Sequence, residues 1–328
     1  MVMNIYAHRV AIIGVTGYAG QELDRLLAFH PLIQVSGRFA SKADEKSGAE
    51  PFSLEKLASY SPDVVVLATE HELSIDLVPE LLETGYRVVD MSAAFRLKDP
   101  GLYREWYKFE HTAPALLEEA IYGLPEFYSE RIRRARLVAN PGCYATATIL
   151  PLAPLYKANA IDPACTVVVD GKSGVSGAGR RPKPETHFCE VNENISAYGI
   201  LKHRHTPEMV SQLPGATFDR LVFTPHLIPI SRGILNTIVL RQSDRASIRS
   251  ILSDTYAKTP FVRVFPDGWM PSVHHVARTN LCSIGIATSG PNTVIVSAID
   301  NLVKGAAGQA IQNLNLMLEC EPTAGLLP

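Results

Sequence analysis

Hydrophobic and polar positions divide the chain into two stretches with different periodicities. Up to about residue 160, short runs of branched apolar residues alternate with stretches that have the spacing of an amphipathic helix. Runs without polar interruptions are typical of strands that are covered on both faces, as in a parallel sheet. Strands are predicted over 9–14, 33–39, 63–68, 86–91 and 136–139, and helices over 18–29, 54–60, 73–84 and from Cys143 toward Lys157. This alternation indicates a doubly wound α/β sheet with right-handed crossovers.

The stretch after residue 160 is predicted to have longer strands and fewer helices. Strand patterns run over 166–170, 221–224, 234–241, 281–287 and 293–299, which favours a mixed or antiparallel sheet. A glycine-rich loop is predicted over 173–179, and residues 99–126 form a weakly periodic excursion within the first stretch. A last helix is predicted to begin near Asp300, whose side chain suits an N-cap. Its apolar stripe comprises Val303, Ala307, Ala310, Leu314 and Met317.

Composition excludes several classes of protein. The 328 residues suggest about two domains, and 46% hydrophobic with 20% charged residues is ordinary for a globular protein. A formal net charge of −2 argues against a nucleic-acid binder. No apolar run reaches the ~20 residues that span a bilayer, and no secretory segment opens the chain, so we expect a cytoplasmic protein. The scattered cysteines argue against a disulfide framework or zinc ribbon. They are Cys143, Cys165, Cys189, Cys282 and Cys320.

A glycine-rich turn between the first strand and the first helix predicts a dinucleotide site. The pattern is G-x-x-G-x-x-G, in which glycines allow a tight turn and a close approach of the backbone to a pyrophosphate. The helix N-terminus adds N–H groups that favour phosphate oxygens. The alternative is a glycine-rich turn without a ligand. The candidate cofactor-binding residues here are Gly14, Thr16, Gly17, Tyr18, Ala19 and Gly20.

The end of the second strand favours NADP(H) over NAD(H). NAD-binding versions of this fold commonly carry an acidic residue there, which bonds the ribose 2′-hydroxyl. This chain instead has Arg38, Ser41 and Lys42, which suit a 2′-phosphate. The alternative is that these are solvated loop residues.

Cys143 is the candidate nucleophile. It follows Asn-Pro-Gly after the 136–139 strand and opens a helix, where the helix N-terminus favours the thiolate. Nearby N–H groups suit an oxyanion. A cysteine beside a dinucleotide fits acyl-thioester chemistry, in which sulfur attacks an activated acyl group and hydride reduces the thioester. The alternative is a small buried apolar residue, which is the interpretation we favour for the other four cysteines.

A partner base is predicted in the segment 203–208. It holds His203, His205 and Glu208, with Arg204 between the histidines. Histidine titrates near neutrality and suits proton transfer to a reacting oxygen, and Glu208 could orient the ring. The alternatives are a polar loop and a metal site. No further Cys/His cluster completes a metal site, so we expect none.

Seven ordered blocks of sequence resemble the N-acetyl-gamma-glutamyl-phosphate reductase family over nearly the whole chain. The blocks are 14–20, 90–96, 140–146, 172–180, 203–208, 225–233 and 300–308. The resemblance implies a Rossmann NADP-binding domain over 1–143 and 300–328. It also implies a mixed-sheet α+β domain for catalysis and oligomer contacts over 144–299. The implied reaction is the NADPH-dependent reduction of N-acetyl-L-glutamyl 5-phosphate to the 5-semialdehyde with release of phosphate, in arginine biosynthesis.

The resemblance also implies roles for particular residues. Cys143 matches the nucleophile and His205 the acid/base, supported by His203 and Glu208. Substrate and phosphate contacts are expected from Arg96, Asn140, Arg180 and Arg204. Cofactor contacts are expected from Ser176 and Gly177 in the glycine-rich loop and from Asn301 near the nicotinamide. The small residues Gly305, Ala306 and Ala307 are expected to let the last helix pack closely. The implied partners are a small acyl phosphate and further copies of the chain in a homodimer or homotetramer, with neither nucleic acid nor membrane.

One departure and three rival functions remain open at this point. The chain has Thr69-Glu-His-Glu72 where the family often has Leu-Pro-His-Gly, which makes a loop beside the cofactor more acidic. The rivals are an aspartate-semialdehyde dehydrogenase, a reductase of carrier-linked acyl phosphates in lysine or ornithine biosynthesis, and a dinucleotide-sensing regulator without catalysis.

Overall fold

The computed structural model describes residues 6–241 and 245–326, which form two compact units. One unit comprises the residues up to Pro141 together with the segment from Ala306, and the other comprises Gly142–Gly305. The predicted boundaries were 143/144 and 299/300. The second boundary lies later because Asp300 accepts the Arg278 N–H and Asn301 accepts the Gly233 N–H, which holds both residues in the second unit.

The first unit contains a seven-stranded sheet. Its strands are β1 (His8–Ile13), β2 (Ile33–Ala40), β3 (Glu50–Pro51), β4 (Val64–Leu67), β5 (Arg87–Asp90), β6 (Ile121–Tyr122) and β7 (Leu137–Ala139). Its helices are α1 (Tyr18–Leu27), α2 (Leu54–Tyr60), α3 (His71–Glu83), α4 (Pro100–Leu102), α5 (Pro114–Glu119), α6 (Pro125–Arg134) and α11 (Gly308–Met317). The strand order is β3-β2-β1-β4-β5-β7-β6 and every pair is parallel, which confirms the predicted α/β sheet.

The last helix belongs to this first unit because polar groups hold it there. Arg87 Nη1 donates to the Met317 carbonyl at 2.6 Å, and His30 Nε2 lies 2.9 Å from Asn315 Oδ1. The predicted apolar stripe is buried, and so are all ten residues of α11. The amphipathic pattern therefore described only one side of a helix that is enclosed on every side.

The second unit contains a mixed seven-stranded sheet in the order β12-β13-β14-β11-β8-β10-β9. Its strands are β8 (Val167–Gly174), β9 (Ser196–Ala197), β10 (Leu221–Ile228), β11 (Ile234–Arg241), β12 (Val262–Val264), β13 (Cys282–Ser289) and β14 (Asn292–Ile299). Its helices are α7 (Cys143–Lys157), α8 (Phe188–Val191), α9 (His205–Gln212) and α10 (Arg245–Tyr256). Helix α7 packs on β11 and β14, while α9 and α10 pack on α7. The predicted mixed sheet is confirmed.

Several predicted boundaries differ from the structure. The helix predicted from residue 73 begins at His71, and the strand predicted over 221–224 continues to Ile228. The strand predicted over 166–170 continues to Gly174, because Lys172, Ser173 and Gly174 pair with β10, so the glycine-rich loop starts inside a strand. Asp300 does cap the last helical segment: its Oδ1 accepts the Leu302 and Val303 N–H groups. The first turn there is a π-helix over Val303–Ala307, which the periodicity did not indicate. No helix among the described residues is long and apolar enough to span a membrane.

Candidate active site

Cys143 is the first residue of α7, a helix of 15 residues. Gly142 is the N-cap and has an extended backbone, with φ −74° and ψ 148°, and no side chain caps the helix. The first N–H groups of a helix have no acceptors within it, and together with the helix dipole they favour an anion at this end. Cys143 is also partly exposed. The predicted burial of the other cysteines is confirmed for Cys282 and Cys320 but is wrong for Cys165, which is partly exposed, and for Cys189, which is exposed. A thiolate and a reacting oxyanion are therefore both favoured at Cys143.

Glu208 holds the backbone immediately before the thiol. It lies in α9, is fully buried, and its Oε1 accepts the Gly142 N–H at 2.7 Å. A buried carboxylate is costly unless it is hydrogen-bonded, so this bond fixes both partners. The sequence suggested that Glu208 orients a histidine ring. The structure shows a further task, which is to anchor the turn that presents Cys143.

His203 and His205 differ in their surroundings. His203 Nδ1 accepts the His205 N–H at 3.1 Å, and the two rings meet edge to face with their centroids 4.8 Å apart. The His203 ring also packs against the rings of Tyr144, Tyr198 and Phe223. Burial, reinforced by the charges of His205 and Arg204, lowers the pKa of His203 to about 2. His203 is therefore neutral near pH 7, and it acts as an acceptor at the start of α9.

Because His203 is held neutral, His205 is the candidate proton donor of the two. It begins α9 three residues before Glu208, so helical spacing puts both side chains on the same side of the helix. Its ring contacts Tyr144, the residue after Cys143, with the ring centroids 6.2 Å apart, and the His203 ring contacts the same residue at 5.7 Å. The neutrality of His203, rather than this contact, therefore separates the two histidines. The structure thus brings Cys143, His203, His205 and Glu208 together at the facing ends of α7 and α9.

Asn301 links the glycine-rich loop to a neighbouring turn. Its Oδ1 accepts the Gly233 N–H at 2.6 Å, and its Nδ2 donates to Ser176 Oγ at 2.9 Å. A Cβ at Gly177 would lie 2.8 Å from Ser173 Oγ, so the loop packs tightly there. The predicted cofactor residues Ser176, Gly177 and Asn301 therefore form one cluster. Within this cluster, both polar atoms of the Asn301 side chain already take part in hydrogen bonds to the protein.

Arg96 and Asn140 tie strand ends of the first unit together. Arg96 Nε donates to the Asn140 carbonyl at 2.8 Å and Nη2 donates to the Met91 carbonyl at 2.9 Å. Asn140 Nδ2 donates to the Ala306 carbonyl, and its Oδ1 accepts from Asn313 Nδ2 at 3.0 Å. These hydrogen bonds hold both side chains in place, and their contact with substrate stays a prediction. Arg180 and Arg204, the other predicted substrate ligands, are exposed.

The glycine turn of the first unit fits a dinucleotide. Gly14 has φ +93°, and a Cβ there would lie 2.4 Å from the Ala68 carbonyl oxygen. A Cβ at Gly20 would lie 2.3 Å from the Gly14 carbonyl oxygen. Gly17 is the N-cap of α1 and no side chain caps this helix, so the first N–H groups of Tyr18, Ala19 and Gly20 face outward from the helix end. This cradle excludes side chains, and its N–H groups suit a pyrophosphate.

A carboxylate lies beside Arg38, one of the residues that are predicted to bind the 2′-phosphate of NADP(H). Arg38 Nε and Nη2 lie 2.9 and 2.8 Å from Asp24 Oδ1, while Ser41 and Lys42 are exposed. Sequence reasoning missed Asp24 because it lies on α1, fourteen positions before Arg38 in the chain. The guanidinium keeps further N–H groups that suit a phosphate, and Asp24 restricts its orientation.

The unusual acidic loop lies at the start of α3. His71 begins this helix, and its ring stacks on Phe109 with the centroids 5.1 Å apart. His71 Nε2 is 3.3 Å from Glu72 Oε1, and ligand atoms of Glu70, His71 and Glu72 lie within 4.8 Å of one another. Exposed acidic groups of this kind are common without an ion, so the cluster does not by itself indicate a metal site.

Comparisons with known proteins match both units. Two family models cover the chain: "Semialdehyde dehydrogenase, NAD binding domain" over residues 9–135 and "Semialdehyde dehydrogenase, dimerisation domain" over residues 143–301. The chain is 45% identical to an N-acetyl-gamma-glutamyl-phosphate reductase of Dehalococcoides mccartyi, with 97% of each chain covered. It is 44% identical to the protein of that name from Desulforudis audaxviator, with 97% of this chain and 98% of that protein covered.

Solved structures show the same fold at low sequence identity. An aspartate semialdehyde dehydrogenase II from Vibrio cholerae, complexed with ASA, superposes with a TM-score of 0.71 at 18% identity, covering 95% of this chain and 98% of that chain. An aspartate semialdehyde dehydrogenase with NADP from Candida albicans superposes with a TM-score of 0.68 at 16% identity, covering 96% and 99%.

The low pKa of His203 predicts a specific loss of stability in acid. Below its unfolded-state pKa of about 6.5, the unfolded chain binds a proton at this ring and the folded chain does not, so stability falls as pH falls. The variant His203→Asn keeps an acceptor for the His205 N–H but has no titrating ring. We expect it to lose less unfolding free energy than the wild type between about pH 7 and pH 5.

Denaturant unfolding at several pH values measures this difference. The control is His187→Asn at an exposed histidine, which should follow the wild-type curve. Parallel curves for the wild type and His203→Asn would show that the ring is not held neutral by the fold.

Proposed function

Because this chain belongs to the semialdehyde dehydrogenase family, and within it to the N-acetyl-gamma-glutamyl-phosphate reductases, we propose that it catalyses the reaction named by those relatives. The reaction is the NADPH-dependent reduction of N-acetyl-L-glutamyl 5-phosphate to N-acetyl-L-glutamate 5-semialdehyde, with release of phosphate. We assign it to arginine biosynthesis in the cytoplasm. The observation that carries the proposal is the placement of Cys143 at the first turn of α7, with Glu208 anchoring Gly142 and His205 close by.

Cys143 performs the first step. Its thiolate attacks the acyl carbon of the substrate, the carbon–sulfur bond forms, and the carbon–oxygen bond to phosphate breaks as phosphate leaves with the electron pair. N–H groups at the start of α7 stabilise the negative oxygen that forms during the attack. The product of this step is a thioester on Cys143, held in place because Glu208 fixes the preceding residue.

His205 performs the proton transfers of the second step. NADPH, when bound, supplies the hydride that reduces the thioester carbon. His205 gives a proton to the oxygen of the resulting thiohemiacetal, and it accepts that proton again as the carbon–sulfur bond breaks and the aldehyde leaves. His203 stays neutral, and its Nδ1 holds the first N–H of α9, which supports His205 in position.

The glycine turn and the residues after β2 would hold the NADPH. The α1 N-terminus suits the pyrophosphate, and Arg38 with Lys42 suits the 2′-phosphate. Ser176, Gly177 and Asn301 would border the nicotinamide part.

The presence of Cys143 and His205 at one site supports an enzyme over a regulator that only senses the dinucleotide. Turnover assays with aspartyl phosphate and with a carrier-linked acyl phosphate separate the rival substrates.

Replacing the nucleophile tests the covalent mechanism. We expect Cys143→Ala to abolish phosphate-dependent oxidation of N-acetyl-L-glutamate 5-semialdehyde in the reverse assay, since no thiohemiacetal can form. NADPH affinity, measured by fluorescence titration, should stay within about twofold of wild type. The control Cys189→Ala changes an exposed cysteine on α8 and should keep full activity. Normal turnover by Cys143→Ala would exclude the thioester.

Replacing Arg38 tests the cofactor preference. A charge-assisted hydrogen bond contributes about 1.5–3 kcal/mol, so Arg38→Leu should weaken NADPH binding by roughly 10- to 100-fold. NADH binding to the same variant should change far less, because NADH has no 2′-phosphate. The control Lys46→Leu removes an exposed positive charge further along the same loop and should affect neither cofactor. An equal loss of both affinities would contradict the assignment of Arg38.

We further propose that the chain works as a homodimer or homotetramer, with a contact on the open face of the second sheet. Four valines stand in register across neighbouring strands on this face, in the order Val222, Val168, Val239 and Val294. Val168 and Val239 are 37% and 38% exposed in the single chain. A contiguous apolar row on a sheet face favours burial against another surface. The matched dimerisation domain supports a second copy as the occupant.

A charge on the valine row should break this contact. We expect Val168→Glu to lower the mass measured by light scattering after size-exclusion chromatography, with unchanged circular dichroism. The control Phe29→Glu introduces the same charge at a residue that is 78% exposed in the first unit, and it should keep the wild-type mass. A wild-type mass for Val168→Glu would place the oligomer contact elsewhere.

A further inference from the structure

Gly305 lies directly against Cys143, although the two residues are far apart in the chain. A Cβ placed on Gly305 would lie 2.7 Å from Cys143 Cβ and 3.2 Å from Cys143 Cα. It would also lie 3.2 Å from Ile299 Cδ1. The shortest of these distances is closer than two such carbon atoms approach in proteins. The glycine is therefore required at this position for space.

A π-helical turn brings Gly305 to this place. The Gly305 N–H donates to the Asp300 carbonyl at 2.9 Å, a bond that spans five residues and ties the π-helical turn Val303–Ala307 to a residue that precedes it. Asp300 is fully buried, and its Oδ2 accepts the Arg278 N–H at 2.7 Å. π-Helical turns are rare in proteins, and many of those that occur lie at functional sites. The turn is thus anchored at Asp300 and presents Gly305 to the thiol residue.

We propose that Gly305 is a positioning residue for the nucleophile, because the missing side chain leaves Cys143 the space for its attacking conformation. Gly305 packs on the Cα and Cβ atoms of Cys143, while Glu208 fixes the residue before it through Gly142. A methyl group at position 305 displaces either the Cys143 side chain or the turn. This inference rests on the proposed function only in taking Cys143 as the nucleophile.

The test is the reactivity of Cys143 in Gly305→Ala. The rate of its alkylation by iodoacetamide is followed by peptide mass spectrometry across a range of pH, alongside kcat and KM for the acyl phosphate. We expect a changed rate and pH profile of alkylation. We also expect kcat to fall by about 100-fold, the loss that a misplacement of about 1 Å produces, with a much smaller change in KM.

The matched control is Gly285→Ala in the same unit. A Cβ there would lie 2.6 Å from Pro271 Cδ, a comparable clash that does not involve Cys143. This variant should lower the melting temperature and leave the alkylation of Cys143 unchanged. An unchanged alkylation profile in Gly305→Ala, or an equal change in Gly285→Ala, overturns the proposal.

A double variant covers the case in which Gly305→Ala folds poorly. Adding Ile299→Val removes the Cδ1 atom that a new methyl group would also meet. We expect the pair to regain melting temperature but to keep the altered alkylation of Cys143. Restored alkylation would mean that Gly305 acts through Ile299 packing, and would overturn the proposal. Because alkylation needs no substrate, a chain without reductase activity would contradict the proposed function and leave this test valid.

Discussion

The hydrogen bond from the Gly142 N–H to the buried Glu208 carboxylate is the constraint on which the candidate site depends. Gly142 is the N-cap of α7, so this bond fixes the turn from which Cys143 projects. The carboxylate belongs to α9, whose first residue is His205, three positions earlier. One short helix therefore anchors the backbone before Cys143 and carries His205, the proposed proton donor. Because the buried carboxylate requires its N–H partner, the two helix ends are held in a fixed relation.

The environment gives the two neighbouring histidines separate tasks. His203 is enclosed by aromatic rings and stays neutral, with Nδ1 accepting the backbone N–H that starts α9. It behaves as a cap for the helix that carries His205. Both rings contact Tyr144, the residue after Cys143, so it is the low pKa of His203 that leaves His205 as the proposed proton donor. The pattern His-Arg-His alone could not separate these tasks, because the low pKa of His203 depends on rings from distant parts of the chain, among them Tyr144 and Phe223, that pack against it.

Local patterns in the sequence predicted both sheets, the glycine cradle at Gly14 and Gly20, and the start of α7 at Cys143. These features follow from periodicity, from backbone conformation and from the chemistry of a helix end, all of which act over a few residues. Contacts between distant parts of the chain were not predictable in the same way. Asp24 meets Arg38 across α1 and β2, Asn313 holds Asn140, and Asn301 binds Ser176 and Gly233. The sequence therefore predicts ligand contacts for several of these polar residues. In the structure, many of their hydrogen bonds are instead made to other residues of the site.

The central claim is that the substrate's acyl group passes through a covalent bond to Cys143. Incubating the protein with N-acetyl-L-glutamyl 5-phosphate in the absence of NADPH, followed by rapid acid quenching and peptide mass spectrometry, tests this claim most directly. The account predicts an N-acetylglutamyl group on the peptide that begins α7, sensitive to hydroxylamine as a thioester is. Phosphate release in step with protein concentration while Cys143 stays unmodified would contradict it.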